Sequence, residues 1–224
     1  MNKLPFEAII FDHDGTLVDT EIADFLACKM LFDELGASLT LDTWANEVIG
    51  HANGYEIILT QLIKQHAQQL SIEVLLKRVK ELWAITQSEI KLTAGVTELL
   101  PQLQRVGYPL AVASASNYNW VSRWLDQFNL RSYFSVIATR DDVSHSKPAP
   151  DVYLFAADQL GVQPNRCLVF EDSIVGLQAA RAAGMVVVAV PTQLTKVSDF
   201  SQANIIIDSL QAVTLEWLEQ VCQV

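Results

Sequence analysis

Two carboxylates, Asp12 and Asp14, close an apolar run, Ala8-Ile9-Ile10-Phe11, and Gly15, Thr16, Asp19, Thr20 and Glu21 follow close behind. An apolar run bounded by turn chemistry reads as a strand buried on both faces. Residues i and i+2 of a strand point the same way, so both acids can face one spot at its C-terminal end while Gly15 turns the chain away. Open parallel sheets bind ligands just outside that edge. Paired carboxylates repel unless a cation or a shared proton relieves them, and a divalent metal is the natural occupant. An ordinary Asp-Gly turn leaves the same signature, so the pair needs partners elsewhere in the chain.

Three further stretches can supply them. Leu110-Ala111-Val112-Ala113 is a second apolar run, ending in Ser114, Ser116 and Asn117. Ser114 is placed to offer its hydroxyl and backbone N–H to a phosphate oxygen. Ser116 or Asn117 can cap the next helix, whose N-terminal amides favour anions. Ser146-Lys147-Pro148-Ala149-Pro150-Asp151 sets a lysine in a proline-stiffened loop. Such a lysine is ordinarily a solvated charge, while at a phosphate site it would neutralise the transferring group. Cys167-Leu168-Val169-Phe170 ends in Glu171 and Asp172. Asp172 can be read as a helix N-cap, or the two acids can join the first pair in a hard-cation site.

These groups need a scaffold that brings strand ends together. From Thr20 to about Ile90 only helical stripes occur, with Thr40 and Ser71 as N-caps and stops at Gly36 and Gly50. After Val96 apolar runs alternate with helical stretches: Leu110 to Ala113, Val136 to Ala138, Cys167 to Phe170, Val186 to Val190 and Ile205 to Ile207, with Gly107, Gly161 and Gly184 closing helices between them. Strand–helix alternation with β-branched strands indicates a doubly wound parallel sheet. The expected fold is an α/β, Rossmann-like core of residues 1–17 and 92–224. An α-helical cap domain, 18–91, is inserted after the first acidic loop, where it could serve as a lid.

The totals bound the function. Half of the 224 residues are hydrophobic, which excludes a disordered chain, and a formal net charge of −11 argues against nucleic acid or an anionic membrane as partner. In so acidic a chain a phosphate site needs local cations, which makes Lys147 informative. Cys28, Cys167 and Cys222 show no metal-ligand spacing and are expected as reduced thiols, Cys167 in the strand core. The expected setting is cytoplasmic, with a monomer or weak dimer as the default.

Asp12-His13-Asp14-Gly15-Thr16 resembles the first motif of the haloacid dehalogenase-like superfamily, and Leu17 to Glu21 its phosphatase and β-phosphoglucomutase branch. Ser114, Lys147-Pro148-Ala149-Pro150 and Glu171-Asp172 match the remaining motifs in family order. The resemblance implies Asp12 as nucleophile, Asp14 as proton donor and acceptor, Lys147 as charge neutraliser and Ser114 as phosphate binder, with Ser116 and Asn117 as weaker candidates beside it. It implies Mg²⁺ held by the Asp12 side chain, the Asp14 backbone carbonyl and Asp172, with Glu171 direct or through water. Thr16 is assigned to orienting Asp14, His13 is expected on the opposite side of the sheet, and Trp120 and Trp124 are read as packing.

The family pattern also separates hydrolysis from phosphosugar mutation. The mutase pattern carries Arg where this chain has Asn53, and a His where it has Asp24. A Mg²⁺-dependent phosphatase acting on a small phosphorylated metabolite, a sugar phosphate foremost, is therefore the expected function, with a β-phosphoglucomutase-type enzyme as the alternative. A non-catalytic phosphate-binding protein would be expected to have lost Asp12, Asp14, Lys147 or Asp172. Glu21, His51 and Asn53 are the candidates for setting specificity.

Overall fold

The computed structural model describes residues 6–49 and 53–221. Gly50, expected to stop a helix, His51, a specificity candidate, and Cys222 lie outside the described residues. Within them the chain forms two compact units: 6–18, 92–192 and 200–221 make the first, and 19–49, 53–91 and 193–199 the second.

The first unit is built on a six-stranded sheet of β1 (Ala8–Phe11), β2 (Leu110–Ala113), β3 (Val136–Ala138), β4 (Cys167–Glu171), β5 (Val186–Ala189) and β6 (Ile205–Ile206), in the order β3-β2-β1-β4-β5-β6. Every pairing is parallel. Parallel strands need crossovers that cover both faces, and β1, β2 and β4 are accordingly buried along their whole length. Phe11 stacks on Phe170 of the neighbouring strand, 5.1 Å between ring centroids. The register pairs Phe11 with Val112 on one side and with Phe170 on the other. The residues that follow these three, Asp12, Ala113 and Glu171, therefore arrive at one level of the sheet edge. Strand order reverses at β1, which is where an open α/β sheet leaves its crevice.

The second unit consists of α1 (Glu21–Glu34), α2 (Leu41–Glu47), α3 (Gly54–His66) and α4 (Ile72–Thr86). Thr40 caps α2 by accepting from the Thr43 N–H, and Ser71 caps α4 through Val74. Trp44, Phe25, Ile58, Leu59 and Leu82 bury their side chains together, and Tyr55 packs edge-on against Trp44. Leu194 belongs to this same apolar cluster, which places 193–199 with the helices although β5 and β6 flank it in sequence.

In the first unit the strands are joined by α5 (Val96–Val106), α6 (Tyr118–Gln127), α7 (Asp151–Leu160) and α8 (Ile174–Ala182), with α9 (Leu215–Val221) near the end. The fold is the Rossmann-like α/β core with a helical insertion that the alternation predicts. β4 runs one residue further than expected, into Glu171, while β5 and β6 stop one residue short. Cys28 and Cys167 are both free and buried. Among the described residues no helix is long and apolar enough to cross a membrane.

Candidate active site

β1 ends at Phe11, and Asp12 remains tied to the sheet by donating its N–H to the Phe170 carbonyl at 3.0 Å. The chain then folds into a tight turn in which the N–H groups of Leu17 and Val18 both donate to the His13 carbonyl. Residue 15 has φ +86°, and a Cβ there would stand 2.2 Å from Asp172 Oδ2. Only glycine meets both conditions.

Lys147 is brought to the same edge from the loop preceding α7. Its ammonium is buried and donates to Asp12 Oδ1 at 2.5 Å, Glu171 Oε1 at 2.7 Å and the Tyr153 hydroxyl at 3.1 Å. The Tyr153 hydroxyl in turn donates to Glu171 Oε1 at 2.8 Å. Glu171 Oε2 accepts from the N–H groups of Asp172 and Ser173 and from the Ser173 hydroxyl, each at 3.0 Å. Both Glu171 oxygens are thus supplied with protein donors. Gly176, in the first turn of α8, makes room for this carboxylate, because a Cβ there would lie 1.6 Å from Oε1.

Asp12, Glu171 and Asp172 present carboxylate oxygens within 4.8 Å of one another, and all three residues are buried. Burial raises the Asp12 carboxyl from its ordinary 3.8 to about 7; Lys147 opposes the rise, while Glu171 and Asp14 add to it. Burial likewise works against the charge of Lys147, yet Asp12 and Glu171 outweigh it and hold the ammonium above its ordinary range. Burial, Glu171 and Asp12 together keep the Tyr153 phenol protonated well beyond its ordinary pKa. One ammonium therefore faces three buried carboxylates, a donor set of hard oxygens with negative charge left over. That set fits a divalent cation.

Asp14 lies towards β2 and α6. Its Oδ2 accepts from the Ser116 hydroxyl at 2.7 Å and lies 3.4 Å from that of Ser114; its Oδ1 accepts from the Trp120 indole N–H at 2.8 Å.

The remaining expectations divide. Thr16 donates to Asp172 Oδ1 at 3.4 Å, so its hydroxyl bears on the second acid rather than on Asp14. The Ser114 N–H is taken by the Ala138 carbonyl of β3, because the ladder continues one residue past β2; only its hydroxyl faces the edge. Asn117 is the cap of α6, accepting from the Trp120 N–H, and Ser116 turns to Asp14 instead. Ser173, not Asp172, caps α8, which leaves Asp172 to the acidic cluster. His13 is fully buried with Nδ1 3.1 Å from Asp14 Oδ1, since strand alternation stops before residue 13. Trp124 is core, as expected, whereas Trp120 reaches the site. Tyr153, Ser173 and Gly176 carried no sequence signal beyond lying in the first turns after two motifs.

Residues 9–190 match the family model described as haloacid dehalogenase-like hydrolase. YhcW of Bacillus subtilis is 38% identical over 212 residues, 95% of this chain and 96% of its own. The fructose-1-phosphate phosphatase YqaB of Escherichia coli is 33% identical over 185 residues, covering 80% of this chain and 94% of its own. The crystal structure of CbbY from Rhodobacter sphaeroides in complex with phosphate superimposes with a TM-score of 0.70 at 31% identity, over 92% of this chain and 96% of that one.

Proposed function

This chain is an enzyme of the haloacid dehalogenase-like hydrolase family, and on that premise we propose that it is a Mg²⁺-dependent phosphatase. The substrate we propose is a small phosphorylated metabolite, a sugar phosphate foremost, cleaved through an aspartyl-phosphate on Asp12. The observation that carries the reading is the buried Lys147 ammonium bridging Asp12 and Glu171 beside Asp172, at the level of the sheet edge where Asp14 also lies. The similarity to a fructose-1-phosphate phosphatase supports the substrate class.

A phosphate monoester dianion repels an anionic nucleophile, so charge must be offset before attack. The side chains of Asp12 and Asp172 and the Asp14 carbonyl would hold Mg²⁺, which would supply Lewis-acid charge neutralisation. Glu171 contributes from outside that inner set, since its oxygens already accept from Lys147, Tyr153, Ser173 and the Asp172 N–H. It holds Lys147 against Asp12, so that the ammonium fixes the nucleophile and offsets charge on the equatorial oxygens. The Ser114 hydroxyl orients one of those oxygens. Asp12 attacks phosphorus in line with the departing oxygen, which takes its proton from Asp14. Asp14, now ionised, accepts a proton from the water that attacks the phosphorus of the aspartyl-phosphate and returns Asp12 to Lys147.

A panel of sugar phosphates assayed for phosphate release tests the proposal. Release is expected with Mg²⁺ and should fall about 10²-fold in EDTA, the scale of several kcal/mol of transition-state stabilisation. Full activity in EDTA would remove the metal from the account. β-Glucose 1-phosphate converted to the 6-phosphate faster than phosphate appears would establish the mutase instead, against the indication of Asn53 and Asp24.

A further inference from the structure

Trp120 is four residues from the buried Trp124 on α6 and packs edge-on against it, 5.7 Å between centroids, so helical spacing alone makes it a packing residue. Its indole nitrogen does something else, donating to Asp14 Oδ1 at 2.8 Å. We infer that Trp120 is a positioning residue for the acid/base Asp14, fixing which of its two oxygens exchanges the proton. The inference rests on the phosphatase reading given above.

An indole N–H can only donate, whereas a serine hydroxyl can donate or accept. Oδ1 accepts from Trp120, and because the carbonyl oxygen of a neutral carboxyl is a better acceptor than its hydroxyl oxygen, this contact favours Oδ1 as the carbonyl side. Oδ2 faces Ser116 Oγ at 2.7 Å and Ser114 Oγ at 3.4 Å. These hydroxyls can donate to an ionised Oδ2 and rotate to accept from a protonated one. The transferable proton belongs on Oδ2, and the carboxyl keeps one orientation through both halves of the reaction. His13 Nδ1 lies 3.1 Å from Oδ1, on a side chain that is itself fully buried. The helix that carries the indole is itself anchored at Asn117, whose side chain accepts from the Trp120 backbone N–H at 2.9 Å. This bond is untouched by a side-chain substitution.

Leaving-group dependence separates positioning from packing. An alkyl alcohol needs a proton to depart, whereas p-nitrophenol leaves as a stabilised phenolate. kcat/KM ends at that departure, so the later hydrolysis of the intermediate does not enter it. Trp120→Phe keeps a ring against Trp124 and removes the N–H. It should lower kcat/KM for a sugar phosphate about 10- to 100-fold, as misplacement of a catalytic group does. For p-nitrophenyl phosphate the change should stay within about threefold. Asp14→Asn should show the same preference, and Trp120→Phe added to it should cost less than about twofold more. Should Trp120→Phe misfold by circular dichroism, benzothienylalanine at position 120 removes the N–H within an isosteric ring and should give the same pattern. Equal losses on both substrates, or no loss on the sugar phosphate, would overturn the role of Trp120 if Asp14→Asn still discriminates. If Asp14→Asn shows no preference either, the acid assignment itself fails, and this inference with it.

Discussion

Asp12→Asn is expected to lower phosphate release by at least about 10⁴-fold, the scale seen when a covalent nucleophile is removed. The amide keeps the shape of the carboxylate but offers no anionic oxygen to phosphorus. Loss of fold would not account for the result, because Lys147 retains Glu171 at 2.7 Å and Tyr153 at 3.1 Å. Stability should move the other way. The folded protein holds the Asp12 carboxyl at about 7 against an ordinary 3.8, with burial as the chief cause. A raised carboxyl pKa means that the folded state binds the proton more tightly than the unfolded chain. The stability it contributes is present at low pH and is lost as pH rises towards the folded value. In metal-free protein Asp12→Asn should therefore melt above wild type near pH 8. The gap should open between about pH 4 and about pH 7 and be flat above. Thermal melts across that range read the sign directly, and a variant less stable than wild type at pH 8 would contradict the electrostatic account.

Lys147→Met is expected to cost activity and stability together. The side chain is only 4% exposed, and its ammonium is shared between Asp12 and Glu171. Removing one electrostatic partner of the transition state costs about 10²–10³ in rate. Leaving two carboxylates buried without their cation costs about 3–5 kcal/mol, more than most single substitutions. Methionine preserves the length and volume of the stem, so the loss is assigned to charge and not to a cavity. Urea unfolding in EDTA measures the stability term. Added Mg²⁺ should recover part of it by lowering the negative charge beside the vacated position. A variant as stable as wild type in EDTA would show that the ion pair contributes nothing to the fold.

The acids are legible because each lies where an apolar run meets turn chemistry, a local pattern that survives in one dimension, and Lys147 because Lys147-Pro148-Ala149-Pro150 matches a family motif. Asp12, Glu171 and Asp172 come together because parallel pairing sets β1 and β4 in register, and Lys147 joins them from the loop preceding α7. What supports them was not legible. Tyr153 and Gly176 look like ordinary helical residues, and their importance appears only when Glu171 arrives from another strand. Thr16 lies nearer in sequence to Asp14, yet its hydroxyl meets an acid 156 residues away. The Ser114 N–H, expected at the sheet edge, is instead taken up because the ladder runs one residue beyond β2. Residues 193–199 show the same limit at the scale of a segment, since only Leu194 packing among Trp44 and its neighbours reveals where they belong.

All of this chemistry converges on a single covalent bond. Acid quenching during turnover of a sugar phosphate with Mg²⁺, followed by proteolysis and mass spectrometry, reads that bond. The expected product is a phosphoryl adduct on the peptide carrying Asp12, lost on hydroxylamine treatment and absent from Asp12→Asn. Undiminished phosphate release by Asp12→Asn, with no adduct at that peptide in wild type, would contradict the assignment of Asp12 as nucleophile.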